Sequence, residues 1–140
     1  MNRMLLVAGI MALVSPVCIG LQVSPSASVY RSQYSDLRAK ASGLLERSRA
    51  PRADKLALQQ EGFAMLKLVY RLQEEAGKDN LESMKKSQTS DKSLLLVGRA
   101  CDALAFMLAA IDNYLDTGDL AFVQLARQAM VLMDTTETFF

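Results

Sequence analysis

"LLLVGRACDALAFMLAAIDNYLD", residues 94–116, is the most hydrophobic stretch outside the N-terminus, yet it carries Arg99 and Asp102 in its middle. It can be read as a membrane span, as the core helix of a soluble bundle, or as one wall of a site built around the charged pair. Insertion energetics separate the first two. Residues 94–111 contain eight Leu, Ile, Val or Phe, together contributing about −2.5 to −5 kcal/mol to insertion. Two central charges cost about +5 to +7 kcal/mol. Extending the segment adds only Asp112 and Asp116, so the span is disfavoured. Leu94, Val97, Cys101, Leu104, Leu108, Ile111 and Leu115, in contrast, form an unbroken 3-4 series, the seam of a helix buried among other helices. Beside it runs a second row, Ala100, Ala103, Met107, Ala110 and Tyr114, rich in small residues that permit close helix approach.

Outward from this helix, Ser90 or Asp91 is its expected N-cap, and Gly118 its stop. Asp119 then caps a final helix to about residue 135, with Phe122, Leu125, Ala126, Ala129, Leu132 and Met133 facing inward. The stretch "LDTGDLAFVQLARQA" resembles one joint of a tetratricopeptide repeat, but a single copy cannot build an array. Upstream, the spacing predicts a helix from about Pro51 to Ala76 with two apolar stripes: Leu56, Phe63, Leu66, Tyr70, and Leu58, Met65, Val69, Leu72, Ala76. Gly77 reads as its stop, and "DNLESMKKSQTS" as one or two turns passing into a polar connector. Further upstream, Tyr30, Tyr34, Leu37, Ala41, Leu44 and Ser48 follow helical spacing, with Ser28 as N-cap and Pro51 ending the pattern. Strand signals are absent.

The N-terminus, "MNRMLLVAGIMALVSPVCIG", has Arg3, then an apolar run from Met4 to Val14, a break at Pro16, and Cys18 and Gly20 where small residues suit a cleavage site. This is the layout of a secretory signal peptide, with cleavage expected after Gly20 and a second site near Ser28. Pro16 and Val17 do not match a lipobox. Residues 4–23 carry no charge, so an uncleaved anchor is the alternative. Residues 21–53 hold seven Ser and six Arg or Lys against two acids, a composition that resembles a transit peptide. A signal followed by such a segment would resemble a bipartite plastid presequence. The expected architecture is therefore an all-α, small up-and-down bundle: residues 1–20 a signal segment and residues 21–140 one domain of four helices, or three if residues 21–53 are removed.

Composition narrows the chemistry. The 140-residue chain has no His, which removes His-based triads, His general bases and His metal or haem ligation. Without residues 1–20 the charges balance at 15 against 15, and no basic block exists, so nucleic acid is not an expected partner. Cys18 lies in the signal segment and Cys101 on the apolar seam, which leaves no disulfide framework.

The remaining candidates are few. Arg99 and Asp102, three apart, suit an intrahelical ion pair or an anchor lining a groove. Gln124, Arg127 and Gln128, with Lys67 and Arg71, could line a pocket for a small anion, although the ordered pattern of the all-helical chorismate mutases is not visible. Asp112, Asp116 and Asp119 gather at a helix end without EF-hand spacing. Thr138 and Phe140 have the spacing of a PDZ-recognised tail. The expected function is non-enzymatic: an exported bundle with a binding or structural accessory role, engaging a protein partner or itself. The alternative is a small-ligand-binding protein or His-independent helical enzyme using Arg99, Asp102, Gln124 and Arg127. Neither reading calls for a metal or cofactor, or for a membrane span in the mature domain.

Overall fold

A computed structural model describes residues 25–140; the expected signal segment and the cleavage site after Gly20 lie outside them. Four helices follow in order: α1 (Pro25–Ser48), α2 (Lys55–Ser87), α3 (Lys92–Thr117) and α4 (Leu120–Glu137). The protein is an all-α up-and-down bundle. Cross-helix bonds fix the directions. Tyr30 near the start of α1 meets Asp79 late in α2, while Arg47 at the end of α1 meets Glu61 early in α2. Gln59 and Gln73 of α2 reach Asp116 and Asp102 of α3 in the reversed order expected of antiparallel neighbours.

The opening stretch is the centre of the bundle. α3 packs against all three other helices, whereas α4 packs chiefly on α3. All seven seam residues, Leu94 through Leu115, are buried, and so are Ala100, Ala103, Met107 and Ala110 of the second row; Tyr114 is half-buried. α4 buries Val123, Ala126, Ala129 and Met133, and α3 and α4 make the most extensive helix pair in the fold. Because Leu104 and Met107 have no solvent exposure, truncating either to Ala is expected to cost about 2–5 kcal/mol.

The caps follow local chemistry. Asp91 caps α3 by accepting from the amides of Ser93 and Leu94 at 3.0 and 3.4 Å. Gly118 ends α3 at φ 71°, a backbone region that glycine occupies without steric penalty. Asp119 caps α4 through Ala121 N at 2.9 Å. α1 begins at Pro25 rather than being capped by Ser28, and Tyr34, Leu37, Ala41, Leu44 and Ser48 bury the expected stripe with Tyr30 half-buried.

Two expectations for α2 are corrected. Its N-cap is Asp54, which accepts from Ala57 N at 3.1 Å, while Pro51 lies in the preceding turns. Its end is not Gly77. The helix continues to Ser87 and stops at Gln88, in the left-handed region at φ 59°. A mid-helix glycine costs only about 1 kcal/mol relative to alanine, and the turns beyond it are anchored. Tyr30 Oη donates to Asp79 at 2.7 Å, Asn80 Oδ1 accepts from Asp91 N at 2.8 Å, and Glu74–Lys78 and Glu82–Lys85 pair along the surface. Tertiary ties therefore override the local stop signal.

A third correction concerns α4. Leu132 faces solvent and Val123 is buried instead. With α3 as the main neighbour of α4, burial is one-sided. Leu132 and, just past the helix end, Phe139 are left exposed on the flank, while Leu125 is partly buried against the core.

Candidate functional site

Arg99 and Asp102 share the exposed side of α3, but they do not form the expected ion pair. Asp102 turns to α2, where Gln73 Nε2 donates to its Oδ1 and also to the carbonyl of Gly98 at 3.0 Å. Gln73 was not singled out by sequence reasoning. Its only signal is a long polar side chain between Leu72 and the α3 flank, and it works as a clamp between two helices. Arg99 turns the other way, toward the end of α4. It makes no hydrogen bond or ion pair among the described residues and lines a groove of about 550 Å³ with Lys92, Ser93, Leu95, Leu96 and Phe139. Three positions on a helix leave side chains about 60° apart around the axis, enough on a narrow exposed arc to place them at the edges of different seams.

Gln124 and Arg127 are exposed on α4. They lie 15 and 12 residues before Phe139, the residue just past α4 that lines the Arg99 groove, which is roughly 20 Å along the α4 axis. The groove lining does not include them. Gln128 is likewise exposed. Lys67 sits 4.7 Å from the centre of the Phe63 ring, a cation–π contact, and Arg71 lines a separate groove of about 370 Å³ between α1 and α2. That groove carries Asp36, Lys40, Arg71 and Glu75, so its charges offset one another. A third, smaller hollow between α2 and α3, about 180 Å³, is formed by Phe63, Leu66, Leu108 and Ala109 beside Asp112 and Asn113.

The other candidates take structural places. Asp116 accepts from Gln59 at 3.1 Å, and Asp119 is a cap. No group of three or more Cys, Asp or Glu among the described residues could hold a metal ion. Cys101 is fully buried, and burial followed by the nearby Asp102 charge pushes its thiol up to about 12, which keeps it in the unreactive protonated form at neutral pH. At the chain's last residues, the Phe140 ring meets Tyr34 edge-on at 5.7 Å and its main-chain oxygen accepts from Arg31 at 2.9 Å. Arg38 of α1 pairs with both Asp134 and Glu137 of α4. These contacts hold the tail against α1.

Surface apolar residues complete the picture. The α2 stripe Leu58, Met65, Val69, Leu72, Ala76 is buried, but the adjacent one remains open: Leu56, Phe63 and Tyr70 are 65%, 60% and 54% exposed, with Leu66 partly covered. Sequence spacing alone could not distinguish a stripe that meets a third helix from one that meets none. Comparison with protein-family models, with curated proteins and with solved structures finds no match to this chain.

Proposed function

We propose that the protein is an exported, non-enzymatic helical bundle that serves as an accessory subunit, docking on a protein partner through the outer face of α2. One observation carries this reading: the Leu56–Phe63–Tyr70 row, which has the periodicity of a buried helix face, is left uncovered by the fold. Apolar side chains spaced one heptad apart along this row span about 21 Å of helix, and exposed apolar faces of this kind mark interaction sites. The absence of His from the chain and the unreactive state of Cys101 agree with a binding role rather than a catalytic one.

Export rests on the N-terminal layout, and the fold bears on where processing would fall. Cleavage after Gly20 leaves α1 whole. Cleavage near Ser28 would cut away buried Ala27, and removal of residues 21–53 would take all of α1, including fully buried Tyr34 and Leu44. These costs favour the Gly20 site and a four-helix mature domain. Helix α3 is long and apolar enough to cross a membrane by length and composition, but its apolar rows pack on three helices, which supports the reading that the mature domain carries no span.

The test has two parts. The chain recovered from expressing cells is expected to begin at Leu21, and an N-terminus at Met1 would favour the retained anchor. In native extracts the protein is expected to migrate in a complex well above 15.4 kDa, and Phe63→Asp, at an exposed position, is expected to release it without altering the helical signal of the purified chain. Migration as a free monomer, or a complex indifferent to Phe63→Asp, refutes the docking role of α2.

A further inference from the structure

The α3–α4 seam differs in kind from the other surface grooves. Its lining contains two cations, Lys92 and Arg99, and no acid, whereas the α1–α2 groove is internally charge-balanced and the α2–α3 hollow holds Asp112. Lys92, Leu95, Leu96 and Arg99 are spaced 3, 1 and 3, one face of a helix, so both cations and both leucines point into the same groove. Neither cation has an ion-pair partner among the described residues, although Arg31, Arg38 and Arg47 each bond an oxygen of another residue. The apolar wall is open, and heptad spacing places further exposed apolar residues beyond it on both elements. Phe139 is 70% exposed, Leu132 lies one heptad before it and is 60% exposed, and Phe106 lies one heptad after Arg99 on α3 and is also exposed. Positive charge is thus concentrated at one end of a groove whose other lining residues are Ser93, Leu95, Leu96 and Phe139, with Asp102 on the adjoining edge of α3 held by Gln73.

We propose that this seam binds a single-chain fatty carboxylate. The carboxylate is held by Arg99 and Lys92, and the acyl chain lies along Leu95, Leu96 and Phe139 toward Phe106 and Leu132. Charge complementarity fixes the sign of the headgroup. A guanidinium presents paired donors that match a carboxylate, and the groove volume of about 550 Å³ falls within the range of small-molecule sites. The row of apolar side chains has no use for a compact anion such as phosphate but suits an acyl chain, whose burial supplies affinity roughly in proportion to length. This surface is separate from the α2 face, so the two proposals fail independently.

The probe is dodecanoate below its micelle concentration at pH 8, titrated into the purified protein by calorimetry while amide spectra are followed. Saturable binding of about one molecule per chain is expected, with a native spectrum and the largest shifts at Leu95, Leu96, Arg99 and Phe106. Shortening the chain to decanoate is expected to weaken binding about three- to tenfold, as two fewer methylenes reach the wall. The double variant Lys92→Ala/Arg99→Ala is expected to weaken it tenfold or more, and Arg49→Ala, a cation at the opposite end of the bundle, to leave it unchanged. Neither altered cation is buried, so the fold is not at stake. The proposal is overturned by absent binding, by equal affinity in the double variant, or by equal affinity for dodecyltrimethylammonium. It is likewise overturned by many-molecule binding that unfolds the chain, or by binding to phosphatidylglycerol vesicles in place of free dodecanoate.

Discussion

Replacing Gly77 by Ala tests the least expected part of the fold with a sign, not only a size. Sequence spacing makes Gly77 a helix stop, whereas the structure places it inside α2, ten residues before Ser87. It is exposed, a Cβ built there meets nothing within 4 Å, and its φ is not positive. Alanine at such a position is expected to stabilise the protein by about 0.8–1 kcal/mol, chiefly by restricting the unfolded chain. For a domain of this size that raises Tm by about 3–5 °C. Gly118 provides the opposite case. Its φ of 71° and its amide bonded to Tyr114 O at 2.7 Å make it a true left-handed stop, so Gly118→Ala is expected to cost about 1–2 kcal/mol. Thermal and urea denaturation followed at 222 nm measure both variants against the parent. If Gly77→Ala lowers the midpoint as Gly118→Ala does, Gly77 ends the helix after all and the α2 extension to Ser87 is wrong. Hydrogen exchange checks the same point by a second route: the amides of residues 79–87 are expected to be protected, and exchange at the rate of an unstructured peptide would refute the extension.

Two further outcomes are expected. Stability should hold from neutral pH to about pH 8 and fall between about pH 9 and 12. Burial raises the Cys101 thiol from 9.0, and the Tyr30 and Tyr34 phenols from 10.0, to about 12 each, so the unfolded chain releases these protons first as pH rises; a denaturation midpoint unchanged up to pH 11 would contradict this, as would labelling of Cys101 in the native state. Tyr34→Phe should leave stability unchanged or raise it by up to about 1 kcal/mol, because the buried hydroxyl has no hydrogen-bond partner among the described residues while the ring keeps its edge contact with Phe140; a loss above about 1 kcal/mol in urea denaturation counts against this account.

Fold class was legible because two periodic rows of α3 coincide with its two buried surfaces, and because Asp91, Gly118 and Asp119 act through local hydrogen bonds that depend on nothing distant. The end of α2 was not legible. It is decided by Tyr30, 49 residues away from Asp79, and by Asn80 accepting from the α2–α3 connection, which are tertiary facts. The same limit applies to the inward faces of α2 and α4. Leu56, Phe63 and Leu132 have the spacing of core residues, and only the arrangement of neighbours leaves them uncovered. Of the candidate site, Arg99 was legible as a charge beside an apolar seam, and Lys92 was within reach of the same spacing argument. Gln73 and Phe139 were not, because each enters from another element.

The parting of Arg99 and Asp102 follows from the position of α3. A helix that packs on three neighbours has only a narrow solvent arc, and charges on that arc must lie at the edge of one seam or another. Asp102 borders α2 and is held by Gln73; Arg99 borders the end of α4, where no acid faces it, since Asp134 and Glu137 both turn to Arg38. The charges that make α3 a poor membrane span thus stabilise one interface and leave another with uncompensated positive charge. Asp134 and Glu137 tie α4 to α1 on its far side, so α4 cannot rotate to cover Leu132 without breaking those pairs. An uncovered apolar strip beside an unpaired cation is therefore a consequence of how this bundle closes, and it stays open while the Arg38 pairs hold.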